Sequence, residues 1–189
     1  MQKTEKVSGC SIDLYRMNSD NRDKYLEVYR TASNFSDLYE MSEELWKAMS
    51  EPMGTEDDKT VRYLVCMKKT KTICGVINYD MEAGVPSIDI AIAHEYRHRG
   101  LGYDAAKTLC DFLLSKEKID CIYWYAMPNN EPSVKIAEKL HGERIDGRNI
   151  LAEVMSNTLG KTMDQYEDLP STAFYVIKSQ NSEEESCVH

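Results

Sequence analysis

From Ile88 to Tyr103 the chain reads Ile-Asp-Ile-Ala-Ile-Ala-His-Glu-Tyr-Arg-His-Arg-Gly-Leu-Gly-Tyr, an alternating apolar stretch that ends in a cationic, glycine-containing turn. Residues of these types in this order suit anion binding. Gly100 and Gly102 allow backbone conformations and close approaches that a Cβ would obstruct, so several N–H groups can converge on phosphate oxygens. A helix beginning just after the turn aims its dipole at the same point. Arg97 and Arg99 add permanent positive charge, and a pyrophosphate would fit between them. The bland alternative is a tight turn with solvated arginines. His94 and His98 flank the turn and suit either phosphate contact or a surface role. Neither GxxxxGK[ST] nor GxGxxG is present, so neither ATP nor NAD is favoured.

The elements that must position this turn follow from periodicity. Ile12 and Leu14 alternate with polar neighbours in a short strand, and Ser19 or Asp20 can cap a helix through about Ala32. A second helix follows through Leu45 and Trp46. Val61–Met67 and Ile73–Tyr79 read as a hairpin about the polar Lys68–Lys71 turn. Ile88, Ile90 and Ile92 keep the period of a strand, whereas Ala106, Leu109, Cys110, Leu113 and Leu114 keep that of an amphipathic helix. Cys121–Met127 is the almost wholly apolar run expected of a strand covered on both faces. Asn130 then caps a helix that has Pro132 in its first turn and stops at Gly142. Ala173–Lys178 is the last clear strand. Residues 143–172 fit a strand, a short helix around Leu151 or a long loop. The sum is α/β, one domain over residues 11–178, with residues 1–10 and the acidic residues 179–189 as flexible ends.

Composition narrows the function classes. The 189 residues carry 32 acidic and 23 basic side chains, a net charge of -9, which disfavours a general nucleic-acid binder and leaves room for one local basic patch. Cationic amines remain plausible partners. The six cysteines lack CxxC or zinc-like spacing and read as reduced, and no metal site is expected. No export signal or membrane span is evident, so a cytoplasmic protein without membrane partners is expected.

Arg97-x-x-Gly100-x-Gly102 after an apolar strand resembles the Gln/Arg-x-x-Gly-x-Gly/Ala signature of the GCN5-related N-acetyltransferases. Asn130-Glu-Pro-Ser133, with Asp146-Gly147 beyond Gly142, is similar to the Asn-x-x-Ser helix and acidic-Gly tail of their ribosomal-protein-alanine acetyltransferase branch. The resemblance covers roughly residues 85–150. It implies a mixed, twisted central sheet of about six or seven strands flanked by helices and splayed between its fourth and fifth strands. It implies that acetyl-CoA places its pyrophosphate on Arg97, His98, Arg99, Gly100, Leu101, Gly102 and Tyr103. Its pantetheine would lie along Ile92 and Ala93, with Asn130 in contact. Asn130 suits a simple helix cap equally well.

Acetyl transfer to an amine needs an unprotonated nucleophile, whereas a lysine amine titrates near ~10.4 and an α-amino group near ~8. It also needs donors for the developing oxyanion, a role for backbone N–H groups around Ile92 and Ala93, and help for the departing thiolate. Many family members place a tyrosine on the helix after the fifth strand. Here that position is Ala137, so Ser133 becomes the candidate donor, with a capping hydroxyl as the alternative. Counting from the acidic-Gly pair points to Glu153 as base, against a solvated carboxylate. Asp89 and Glu95 are other candidates. Tyr123, Trp124 and Tyr125 suit either an acceptor-pocket wall or core.

The expectation is an acetyl-CoA-dependent N-acetyltransferase acting directly on a primary amine, either a peptide N-terminus or a small molecule. Its alternative is a catalytically inactive acyl-CoA-binding module. The acceptor, the acyl preference and whether the chain forms a homodimer are left open.

Overall fold

The computed structural model describes residues 6–32, 42–55, 59–82, 85–115, 117, 119–126, 130–146 and 173–179. Eight strands and four helices appear among them, with one 3-10 turn at His94–Tyr96. The strands are β1 (Lys6–Ser8), β2 (Ile12–Arg16), β3 (Val61–Met67), β4 (Ile73–Glu82), β5 (Val85–Ile92), β6 (Cys121–Ala126), β7 (Glu143–Ile145) and β8 (Ala173–Lys178). The helices are α1 (Arg22–Ala32), α2 (Glu43–Ser50), α3 (Leu101–Ser115) and α4 (Glu131–Lys139). The strand order is β1-β2-β3-β4-β5-β6-β8-β7, a mixed sheet in which β5 and β6 run parallel. The chain divides into two compact units, one of residues 1–80 with 88–112 and one of 81–87 with 113–189.

In the first unit α1 forms because Tyr25, Val28, Tyr29 and Ala32 recur at i, i+3, i+4 and i+7 and bury one stripe. That stripe packs on Met53, Leu64 and Val76, with Ala91 and Ala93 at its margin. The opposite helix N-terminus is set locally. Ser42 Oγ accepts from Leu45 N at 3.1 Å and starts α2, whose Trp46 ring meets Tyr29 at 6.3 Å. β2 and β3 pair in register from Ile12–Met67 to Arg16–Tyr63, and β3 and β4 from Val61–Tyr79.

Residues 6–8 form the first strand of the sheet. They pair with Asp13–Tyr15 of β2. Asp13, 2% exposed, accepts from Ser8 Oγ at 2.8 Å and pairs with Lys6 Nζ at 2.9 Å. Polar bonds to one buried carboxylate hold this strand, so apolar periodicity could not reveal it.

In the second unit β6 pairs with β8 along six residues, from Cys121–Lys178 to Ala126–Ala173, and β7 pairs with β8. The parallel pairing of β5 with β6 is Ser87 with Tyr123. Ile122, Trp124 and Ala126 are buried along β6, so Trp124 belongs to the core. Tyr125 keeps 39% exposure and stacks near Phe174, their rings 5.5 Å apart.

Candidate active site

The turn after β5 lies in the first unit and is built in three steps. Ala93 N donates to the Cys74 carbonyl at 2.9 Å, and the Ala93 carbonyl accepts from Tyr96 N at 2.8 Å, which starts the 3-10 turn. The backbone then takes left-handed φ values, +60° at His98 and +77° at Gly100. Finally the Gly100 carbonyl accepts from Asp104 N at 3.0 Å, closing the first helical bond of α3. The N–H groups of Gly100, Leu101 and Gly102 precede that bond and have no acceptor within the helix. The positive end of the helix dipole therefore coincides with them.

A Cβ added at Gly100 would meet nothing within 4 Å. Torsion, not crowding, requires glycine there, and the space where its Cβ would stand is open. Leu101 anchors the turn from beneath at 7% exposure. Backbone donors at a helix N-terminus suit an anion.

The two arginines act differently from simple phosphate ligands. Arg97 Nε donates to the Ile92 carbonyl at 2.9 Å, and its Nη2 donates to the Ala32 carbonyl at 3.0 Å. The side chain thus ties the end of α1 to the end of β5 while its charge stays beside the turn. Arg99 Nη2 donates to the Glu95 carbonyl at 2.8 Å, with its guanidinium 5.6 Å from the Tyr96 ring centre. These contacts were invisible in sequence, because the acceptors are backbone carbonyls up to 65 residues away.

Ala93 needs a correction as an oxyanion donor. Its N–H is committed to Cys74 and its carbonyl to Tyr96. In an antiparallel ladder alternate N–H groups point away from the partner, so the neighbouring Ile92 N–H is directed away from β4.

Asp104, in the first turn of α3, faces the β1–β2 connection. It accepts from Cys10 N at 3.0 Å, from Ser11 N at 2.6 Å and from Ser11 Oγ at 2.5 Å. Burial pushes its carboxyl up, but these hydrogen bonds outweigh burial and leave it below the ordinary carboxylate value. Gly9 makes this docking close, since a Cβ there would lie 2.2 Å from Thr108 Oγ1.

The second unit carries Asn130 and Ser133. The Asn130 side chain accepts from Ser133 N at 3.3 Å and caps α4. Ser133 Oγ accepts from Trp124 Nε1 at 3.1 Å, which leaves its hydroxyl proton available for donation. Ala137 is fully buried, so the position where a tyrosine is common is core here. Tyr123 is half-buried. Glu153 lies outside the described residues.

Thiol chemistry is disfavoured by environment. Burial pushes the Cys74 thiol up to about 11 and that of Cys110 up to about 12, and it raises Cys66 and Cys121 as well. Cys10, Cys66, Cys74, Cys110 and Cys121 are unbridged. Among the described residues, no helix is long and apolar enough to cross a membrane.

Comparison with solved structures defines the fold class. An acetyltransferase of the GNAT family from Bacillus anthracis superposes with a TM-score of 0.64 at 15% identity, over 92% of this chain and 98% of that one. A GCN5-related N-acetyltransferase from Brucella melitensis gives 0.64 at 14%, over 93% and 79%. The ribosomal-protein-S5-alanine acetyltransferase from Vibrio fischeri gives 0.54 at 14%, over 74% and 83%. These are likenesses of fold. Among curated proteins, no sequence match to the chain is found.

The model of the acetyltransferase (GNAT) domain matches residues 12–143, which include β2 through α4 and the whole Arg97–Tyr103 turn. The chain belongs to the GNAT acetyltransferase family and is an acyltransferase enzyme.

Proposed function

We propose that this enzyme transfers an acetyl group from acetyl-CoA directly to a primary amine, at a peptide N-terminus or on a small molecule. The observation that carries this reading is the turn at Gly100. Left-handed backbone, open space at the Gly100 Cβ position and N-terminal donors of α3 that have no acceptor within the helix suit a diphosphate there. Bound acetyl-CoA would supply an activated acyl group on a thiolate leaving group of ordinary pKa near ~8.5.

The chain's own residues divide the remaining work. Arg97, His98, Arg99, Gly100, Leu101, Gly102 and Tyr103 shape the diphosphate site, chiefly through backbone groups and local positive charge. Ile92 N–H is the donor assigned to the developing oxyanion. Ser133 is assigned to the departing sulfur, supported by a hydroxyl whose oxygen is already satisfied by Trp124. Asn130 supports that hydroxyl by capping α4, and Glu153 is assigned as base from the family resemblance. Direct transfer is favoured because burial raises the thiols of Cys66, Cys74, Cys110 and Cys121, against a cysteine nucleophile. The likeness to a ribosomal-protein-S5-alanine acetyltransferase supports a peptide N-terminus as one acceptor class.

The test is acetyl-CoA turnover, followed as free thiol, across a panel of peptides and small amines. Amine-dependent thiol release is the expected result. Tight acetyl-CoA binding without release across the panel would instead identify a silent binding module.

A further inference from the structure

A polar row crosses the first unit on the face of the sheet that α1 covers. Arg62 of β3 is the Cα partner of Asn78 on β4. On the other side of β4, the Ala93–Cys74 hydrogen bond sets the register of β5. Counting along both strands from that pair places Asp89 opposite Asn78. Alternation then puts Asn78 and Asp80 on the face of Val76, and Asp89 on the face of Ala91 and Ala93, all of which pack toward α1.

Two independent features mark this row as more than a solvated face. Asn78 is 8% exposed, and its Oδ1 has no hydrogen-bond partner. An amide oxygen buried without a donor is a cost that a ligand N–H would remove. Asp89 meanwhile keeps exposed surface although protein crowds its carboxyl, so a solute can reach it. Desolvation pushes that carboxyl up and the charge of Asp80 adds to it, against a backbone hydrogen bond at Ile90 and the charge of Arg62. The phenol of Tyr29, 7% exposed, is raised by its own burial and then by Asp89, which places α1 over the same groups. Asp80 opposes the charged form of Asp89, and an incoming cation would offset that repulsion.

We infer that Asp80, Asp89 and Asn78 bind a second cationic group of the acceptor, so that the acceptor class is dicationic. This rests on the reading that the amine reacts beside Ile92. Asp89 lies three residues from Ile92 along β5, so the two nitrogens of such an acceptor are separated by roughly 10 Å at the strand rise. A long aliphatic α,ω-diamine meets that spacing, as does a peptide N-terminus followed closely by a lysine side chain.

The experiment compares octane-α,ω-diamine with octylamine, and alanyl-alanyl-lysine with alanyl-alanyl-leucine. Calorimetry without acetyl-CoA reads binding, and thiol release reads kcat/KM. Wild type is expected to prefer at least one dicationic member over its monocationic partner by tenfold or more, and added salt should erode that preference. The pair that shows it identifies the source of the second charge. Asp80→Asn with Asp89→Asn should bring the ratio close to one, through a rise in KM for the dicationic member of the pair. Asp80→Asn alone, at the half-buried position, provides a milder variant with the same direction. Equal binding of mono- and dications by wild type overturns the inference, as does a preference that survives both substitutions. Loss of turnover for all acceptors in Asp89→Asn also overturns it, by making Asp89 the base. Dication binding without thiol release would leave this site standing and remove the proposed transfer instead.

Discussion

Arg97 and Ala32 meet through one hydrogen bond, in which Arg97 Nη2 donates to the Ala32 carbonyl at 3.0 Å. That carbonyl belongs to the last residue of α1, where helix acceptors lack partners of their own and favour a cation. The same guanidinium holds the Ile92 carbonyl at the end of β5. One residue of the glycine turn therefore fixes the helix behind it and the strand in front of it.

Arg97→Ala should lose both bonds. Hydrogen bonds to a charged donor contribute about 1.5–3 kcal/mol each, and the half-buried setting places these near the lower end. At roughly 2–4 °C per kcal/mol for a chain of this size, the unfolding midpoint should drop by several degrees. The KM for acetyl-CoA should rise about tenfold as the turn loosens. Arg97→Lys should recover part of each effect, because one ammonium cannot reproduce the planar fork. Thermal unfolding and initial rates measure both quantities, and an unchanged midpoint would contradict the clamp.

Gly100→Ala separates torsion from space. A side chain in the left-handed region costs about 1–2 kcal/mol, and no neighbour would clash with the added methyl. Gly100→Asn should regain stability, since asparagine tolerates this region, yet its side chain still occupies the space beside the donors. Expected is normal denaturant stability with weakened acetyl-CoA binding for Asn, and losses in both for Ala. Calorimetry that finds full affinity in the Asn variant would move the diphosphate elsewhere.

Ser133→Ala leaves Trp124 Nε1 without its acceptor in a side chain 1% exposed. The unsatisfied indole should cost about 1–3 kcal/mol and alter tryptophan emission. If the hydroxyl serves the departing thiolate, kcat should fall tenfold or more while the KM for acetyl-CoA holds. Ser133→Thr should restore much of the rate. A stability loss with unchanged kcat would leave Ser133 as a cap alone.

Asp104→Asn tests the carboxylate that docks the β1–β2 connection. Its folded value lies below the ordinary ~3.9, so the stability it contributes is complete above that value and is lost as pH falls through the folded one. Wild type should be the more stable form near neutrality and should lose its advantage below about pH 4. The Asn variant should show a shallower acid limb, because its amide does not titrate. Urea unfolding at a series of pH values checks this. Parallel limbs would mean that the bonds from Ser11 and Cys10 leave no net shift.

How far the sequence could be read depended on the range of the interactions. Val61–Met67 and Ala173–Lys178 match their strands because apolar runs bounded by polar turns act locally. The N-terminal strand was not legible because it pairs through backbone groups and its Lys6 and Ser8 side chains go to one buried aspartate. The glycine turn was legible because its requirements, left-handed backbone at Gly100 and a helix start beside it, lie within a few residues. The arginines' acceptors were not legible, since backbone carbonyls carry no residue signature.

Asp89 illustrates the boundary most clearly. Its type and its strand could be read, but not the face it occupies, because one step of register exchanges the two faces of a strand. Only the ladder set by Cys74 and Ala93 aligns Asp89 with Asn78 and Asp80. By itself the sequence determined the α/β class, the strands and helices of clear periodicity and the glycine turn, all governed by local periodicity and backbone torsion. Tertiary structure alone decided which N–H groups remain available, where Arg97 directs its donors, and which carboxylates share a face. Those outcomes depend on pairing between segments distant in the chain, and residue type does not encode that pairing one position at a time.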